Sequence, residues 1–202
     1  SQSKGISIAG LICKDFSFNF SRPSGTESLF DYLRSHKLVT ICDVDTRALV
    51  NYIRENGAMN AVVSTNIGTE KKLLKELASS PSMEGLELAS KVSTKKSYTV
   101  GNPDSKYRIA AIDLGVKQNI LHNMVERNMF VKVFPYDTSY KELETFKPDG
   151  YFISNGPGDP LPLKGVQSVA KTIIENNKPL FGICLGHQII ALANGISTFK
   201  MF

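Results

Sequence analysis

A strand that turns directly into a helix, at residues 179–195, constrains the fold of this chain more than any other segment. The short apolar run 180–183 predicts a buried strand. Apolar residues recur at helical spacing over 185–193, and Gly195 follows at a position suited to a left-handed helix cap. The chain must therefore turn sharply at residue 184.

This turn presents a single cysteine. Gly182 and Gly186 lie two residues on either side of Cys184, as in the strand-to-helix nucleophile elbow of hydrolases, where a sharp turn leaves no room for a β-carbon. At a helix N-terminus, unpaired N–H groups and the helix dipole stabilise a thiolate, the reactive form of cysteine. A buried packing role is commoner for an arbitrary cysteine. Such a role does not need both glycines, so we predict a nucleophile.

Composition limits the remaining possibilities. The 202 residues can form one large domain or two small ones, and 21% charged with 42% hydrophobic residues is typical of globular proteins. No apolar run approaches the ~20 residues that span a bilayer, and no signal sequence opens the chain, so we expect a cytoplasmic protein without a membrane partner. The net charge of +5 comes from dispersed lysines, which argues against nucleic-acid binding. Cys13 and Cys42 are predicted to be buried packing residues, with no disulfide or metal site.

A segment rich in Ser, Thr, Lys, Gly and Pro, 92–105, predicts a domain boundary, with one domain over 1–100 and a second over 107–202. In the first domain, apolar patterns predict alternating strands and helices. The first three elements are an apolar run 6–12, a helix 24–36 with Ser24 and Glu27 as a capping box, and a strand 38–42. They are followed by a helix capped by Asp45 or Thr46 and ended by Gly57, a strand 61–63, and a helix that starts near Thr69 and ends at 79–81.

Beyond residue 107 the pattern is strand, helix, strand at short intervals. Strands are predicted at 109–112, 130–134, 151–153 and 180–183, and helices near 120–125, 143–146, 166–174 and 185–193. This alternation predicts an α/β domain, an open parallel sheet with helices on both faces. Ligands bind such sheets at the carboxyl ends of the strands.

A second unusual loop, 154–160, follows one of these strands. Gly156 and Gly158 leave backbone N–H groups with no side chain in front of them, which suits an oxyanion hole for attack on a carboxamide. The amide of Leu185, the residue after the nucleophile, would be another donor. Alone, this loop would be interpreted as a plain turn. Beside the cysteine elbow, the oxyanion function is favoured.

The segments 181–188 and 154–160 together resemble the class I glutamine amidotransferase domain. The segments 43–49, 53–58 and 111–120 resemble the small, glutamine-hydrolysing chains of carbamoyl-phosphate synthetases, and this resemblance extends over essentially the whole sequence. It implies a small N-terminal α/β domain followed by an amidotransferase domain, both partial. We expect a fragment lacking both ends, because the sequence starts at Ser1 and stops at Phe202, soon after the helix cap.

The resemblance also implies roles for individual residues. Cys184 would form a glutamyl thioester and release ammonia. Gly156, Gly158 and Leu185 would hold L-glutamine or its oxyanion through backbone groups, and Gln188 through its side chain. No cofactor is expected in this chain. Ammonia would pass through a tunnel to a large partner chain, which uses ATP, Mg and bicarbonate to make carbamoyl phosphate for arginine and pyrimidine synthesis.

One departure from the family pattern concerns the activating base. In the family, a histidine of a later His-x-Glu motif activates the nucleophile, and neither residue of that motif is in this sequence. His36 and His122 are interpreted as surface or half-buried residues, and His187 as a structural hydrogen-bonding residue. A glutamine-contacting serine of the family's opening segment is also missing. We therefore predict that these 202 residues alone hydrolyse glutamine poorly.

Several alternatives stay open. The chain could be an amidotransferase of anthranilate or guanylate synthesis, although those begin near the strand at 109 and lack the first hundred residues. It could be a non-catalytic regulatory or scaffold relative, although Cys184 is present. A cysteine peptidase on the same sheet would not need Gln188.

Overall fold

The computed structural model describes residues 8–19, 25, 27–65 and 70–199. Its contacts form two compact units, which divide between Ser82 and Met83. The division lies earlier than the segment 92–105 in which the sequence predicts a boundary. The reason is that residues 83–105 pack within the C-terminal unit, where Ala89 and Ser93 are buried.

The N-terminal unit combines one parallel strand pair with three helices in the part of the chain that is described. Strand β1 (Gly10–Ile12) pairs in parallel with β2 (Val39–Ile41). The helices are α1 (Leu29–Ser35), α2 (Thr46–Asn56) and α3 (Glu70–Ser79). These elements confirm the predicted small α/β unit, while Thr69 at the expected start of α3 lies outside the described residues.

Helix caps and one missing strand refine the predictions for this unit. Asp45 caps α2 as predicted, accepting a hydrogen bond from the Ala48 N–H at 2.9 Å. Helix α1 is instead capped by Ser28, whose hydroxyl accepts from the Asp31 N–H at 3.0 Å, and Ser24 lies outside the described residues. The predicted strand 61–63 does not form. Val63 is half-buried near Gly10 and Val62 is exposed, so this short apolar run gains neither a partner strand nor full burial.

The C-terminal unit is built on a five-stranded sheet with the order β3-β5-β4-β6-β7. Its strands are β3 (Tyr98–Val100), β4 (Tyr107–Ile112), β5 (Met129–Phe134), β6 (Gly150–Ile153) and β7 (Leu180–Gly182). All neighbours pair in parallel except β3 with β5. The predicted parallel sheet is confirmed. Strand β3 was not predicted, because an edge strand needs few apolar residues and its segment has the composition of a linker.

Helices cover both faces of this sheet. They are α4 (Ala89–Val92), α5 (Gln118–Glu126), α6 (Tyr140–Glu144), α7 (Lys164–Glu175) and α8 (Leu185–Ala193). Ile112 packs in one core cluster with residues of α7 and α8, whereas its neighbour Ala111 packs in a second cluster with Leu121 of α5. Successive strand residues point to opposite faces, so the two clusters lie on the two sides of the sheet.

Strand β7 differs from the predicted buried strand. It is the last strand of the described sheet, and the side chain of Phe181 is 64% exposed. Phe181 stacks on Phe152 of β6 with 6.3 Å between ring centroids. Among the described residues, no helix has the length and apolar character needed to cross a membrane.

Candidate active site

Cys184 forms the turn between β7 and α8. Its backbone has φ 53° and ψ −111°, a conformation that L-residues rarely adopt. Helix α8 begins at the next residue, so the cysteine occupies the helix N-cap, and its side chain is exposed. A strained residue that is held exposed at a strand end is a common feature of functional sites.

The flanking glycines are required by close backbone contacts. A β-carbon on Gly182 would lie 2.6 Å from the carbonyl carbon and oxygen of Gly186. A β-carbon on Gly186 would lie 2.1 Å from the carbonyl oxygen of Ile153. Both distances are far below van der Waals contact, so any side chain at either position would displace the turn. This geometry agrees with the elbow that the sequence predicts.

The elbow is attached to the end of β6. Ile153 is the register partner of Gly182, so β6 and β7 end side by side. The N–H of Gly186 donates to the carbonyl oxygen of Ser154 at 3.2 Å, and the N–H of Ile183 donates to that of Ile153, also at 3.2 Å. Cys184 and the loop that starts at residue 154 therefore lie at the same edge of the sheet.

The loop 154–160 is tightly packed at both of its glycines. A β-carbon on Gly156 would lie 2.1 Å from the carbonyl oxygen of Leu114. Gly158 has φ +93°, in the region that favours glycine. Within the described part of the chain, the N–H groups of Gly158 and Leu185 donate no backbone hydrogen bond. They are therefore free to bind an oxygen atom of a ligand.

The remaining predicted residues belong to the first turn and a half of α8. Leu185 is buried in the core cluster, so its backbone N–H, and not its side chain, is the group that could bind a ligand. Gln188 is exposed and lies one turn after Cys184, where its N–H donates to the Cys184 carbonyl oxygen at 3.1 Å. Residues four apart share a helix face. The five predicted residues thus occupy two adjacent loops and one helix face.

Two buried polar residues that sequence reasoning missed hold the backbone where β4 and β6 end. The Asp113 carboxylate accepts hydrogen bonds from the N–H groups of Thr94 (2.7 Å), Gly115 (2.9 Å) and Val116 (2.8 Å). Ser154 is fully buried, and its hydroxyl accepts from the Leu114 N–H at 2.8 Å. Each is the first polar residue after an apolar strand, a signal that could have identified them.

Other candidate side chains lie elsewhere or differ from expectation. Cys42 is exposed and Cys13 is half-buried, so the burial predicted for both is wrong, because each directly follows the last residue of its strand, Ile41 or Ile12. His187 is exposed on α8 and its imidazole has no hydrogen bond with a described residue, which does not match the structural role expected for it. His36 and His122 are also exposed, on the helices predicted. Across the described ranges, no group of three His, Cys, Asp or Glu residues is placed to hold a metal ion.

Comparisons with known proteins match both halves of the chain. Residues 110–202 match the family described as glutamine amidotransferase class-I, and residues 1–63 match the carbamoyl-phosphate synthase small chain, CPSase domain. The second match argues against amidotransferases of other pathways, which lack this domain. Residues 64–109 lie outside both matched regions.

Curated relatives match over nearly the whole chain. The carbamoyl phosphate synthase small chain of Synechococcus is 41% identical over 206 residues, covering 96% of this chain and 53% of the relative. That of Vibrio parahaemolyticus is 39% identical over 216 residues, covering 99% and 57%. That of Salmonella typhimurium is 38% identical over 216 residues, covering 99% and 56%. The chain spans about half the length of the curated relatives it matches.

Proposed function

Because the chain belongs to the family of carbamoyl phosphate synthase small chains, we propose that it is the glutamine-hydrolysing part of such an enzyme. The observation that carries the proposal is the exposed Cys184 at the N-terminus of α8, beside a loop with free N–H groups. A thiol next to preorganised donors is the arrangement needed for acyl transfer from a carboxamide.

The chemistry has two halves. The Cys184 thiolate attacks the side-chain carboxamide carbon of L-glutamine, and the resulting oxyanion accepts hydrogen bonds from the N–H groups of Leu185 and the loop glycines Gly156 and Gly158. The C–N bond then breaks, and the nitrogen takes up a proton and leaves as ammonia. Water attacks the glutamyl thioester, which releases glutamate and returns the thiol.

Substrate selection is assigned to the exposed face of α8. Gln188 shares that face with Cys184, so its amide can hydrogen bond with the polar groups of a bound glutamine. The general base that activates the thiol belongs, by resemblance to the family, to a His-x-Glu motif that follows the elbow helix.

The released ammonia is used by a second protein chain. The relatives are named small chains, which implies a large chain as partner. We assign ATP, Mg and bicarbonate to that partner, which makes carbamoyl phosphate for arginine and pyrimidine synthesis in the cytoplasm. The chain itself supplies ammonia and is proposed to bind glutamine without a cofactor of its own.

Intact-mass measurement after treatment with a glutamine-like chloroketone tests the proposal. The reagent forms a thioether with the nucleophile and loses chloride, so brief treatment is expected to give one adduct on the native chain and little on Cys184→Ser. Cys42→Ser is the matched control, because Cys42 is also exposed but belongs to the other unit, and it should still form the adduct. An adduct that forms on Cys184→Ser as fast as on the native chain would contradict the proposal.

A further inference from the structure

A segment outside both matched regions lies along the edge of the sheet where the candidate site is found. We define it as the strap, residues 83–94, which opens the C-terminal unit and includes helix α4. Resting on the proposed glutaminase function, we propose that the strap holds the oxyanion loop in its working conformation and that Asp159 is the positioning residue that joins the two.

The first half of the strap binds the loop directly. Glu87 and Gly158 form an antiparallel bridge, and the Asp159 N–H donates to the Leu86 carbonyl oxygen at 3.0 Å. In return, the Gly85 N–H donates to Asp159 Oδ2 at 2.7 Å. The other carboxylate oxygen, Oδ1, accepts from the Leu161 N–H at 2.8 Å. Asp159 thus connects the strap to Leu161, the residue that follows the loop.

The strap also explains why residue 158 is glycine. A β-carbon there would lie 2.6 Å from the Leu86 carbonyl oxygen and 3.0 Å from the Leu88 nitrogen. The strap backbone therefore occupies the space where a side chain would be. Because Gly158 is confined on this side with φ +93°, the direction of its N–H depends on where the strap lies.

The second half of the strap is anchored at two further strand ends. The Thr94 N–H donates to Asp113 Oδ2 after β4, and the Ser93 hydroxyl accepts from the Tyr136 N–H after β5 at 3.0 Å. Ser93 is itself buried. With these anchors the strap is fixed to the ends of β4, β5 and β6, so it can act as a rigid support for the loop.

The nucleophile is held independently of the strap. Cys184 is positioned by the contacts of Gly182, Gly186 and Ile183 with one another, with β6 and with Ser154, which begins the loop four residues before the strap contact at Gly158. A change in the strap or in Asp159 should therefore disturb the oxyanion donors while the thiol stays in place. This separation makes the proposal testable with two reagents.

The test compares two alkylation rates at Cys184 in Asp159→Asn and Asp159→Ala. A glutamine-like chloroketone needs the oxyanion donors, because its ketone oxygen is bound before chloride leaves, whereas iodoacetamide needs only an accessible thiol. Gly85 and Leu161 donate to different oxygens of Asp159, and asparagine replaces one of these oxygens by an NH2 donor, so one of the two N–H groups loses its acceptor. We expect the chloroketone rate to fall about tenfold, less than the ~100-fold loss that follows removal of a whole oxyanion donor. The iodoacetamide rate should stay unchanged.

Asp104→Asn, at an exposed position before β4, is the matched control and should change neither rate. Unchanged chloroketone rates in both Asp159 variants would overturn the proposal. A parallel fall of both rates together with a lost near-UV circular dichroism signal would also overturn it, since Asp159 would then serve only folding. If the native chain itself forms no chloroketone adduct at Cys184, the proposed glutaminase function fails instead.

Discussion

The sharp backbone turn at Cys184 requires a residue without a β-carbon at position 186. In Gly186→Ala the new β-carbon would meet the Ile153 carbonyl oxygen at 2.1 Å, and this oxygen belongs to a strand that cannot move freely. We expect a loss of about 3 kcal/mol in the free energy of unfolding, measured by urea denaturation, at the upper end for overpacked sites. Gly165→Ala is the control, because nothing lies within 4 Å of that position in α7, and it should gain about 0.5–1 kcal/mol.

Ser154 has a similar influence through a hydrogen bond. Ser154→Ala leaves the buried N–H of Leu114 without its acceptor, so we expect a loss of about 1–3 kcal/mol in the free energy of unfolding. The exposed Ser168 of α7 provides the comparison, and Ser168→Ala should change that free energy by no more than about 0.5 kcal/mol. Equal values for the two variants would show that the Ser154 bond does not stabilise the loop.

The sequence predicts the sharp turn at Cys184 correctly. Glycines two residues before and after Cys184 are visible in the sequence, and each is needed for a close backbone contact within the turn itself. The turn and the left-handed Gly195 cap are confirmed. Ser154 and Asp113 were missed because their partners, Leu114 and Thr94, are distant in sequence or belong to loops. Their position as the first polar residues after apolar strands could have marked both, but the partner of a long-range hydrogen bond has no periodicity that a sequence pattern could reveal.

Among the elements, the strap is sensitive to pH through Glu87. Burial alone would raise the pKa of this carboxyl, but hydrogen bonds from Ser90 and Ala89 and the charge of Lys91 hold it below the usual 4.5. A carboxyl with a lowered pKa in the folded state contributes stability above pH 4.5 and loses it as the pH falls through the folded value. Glu87→Gln should therefore reduce the loss of unfolding free energy between pH 5 and about pH 3. Identical pH profiles for the two proteins would contradict this.

The strap and β3 are also the elements that the sequence did not predict. Their structure depends on partners far along the chain, as in the hydrogen bond from Gly85 to Asp159 across 74 residues. The central strands β4, β5 and β6 were predicted because they are buried on both faces and therefore read as apolar runs.

For the whole molecule, the expected activity depends on groups beyond the elbow. The resemblance places the activating histidine in a later motif, so a polypeptide of these 202 residues should release glutamate from glutamine slowly or not at all. A coupled assay for glutamate, with Cys184→Ser as the blank, measures this. Turnover near that of a complete amidotransferase would show that a base within these residues activates Cys184.

The most direct test of glutamine recognition compares the alkylation rate of Cys184 with that of Cys42 in the same molecule. Both thiols are exposed, so peptide mapping after brief treatment with a glutamine-like chloroketone uses Cys42 as an internal reference. We predict that Cys184 reacts faster than Cys42 and that L-glutamine, but not D-glutamine, slows only Cys184. Equal rates at the two cysteines, unaffected by L-glutamine, would contradict a glutamine site at the ends of β6 and β7.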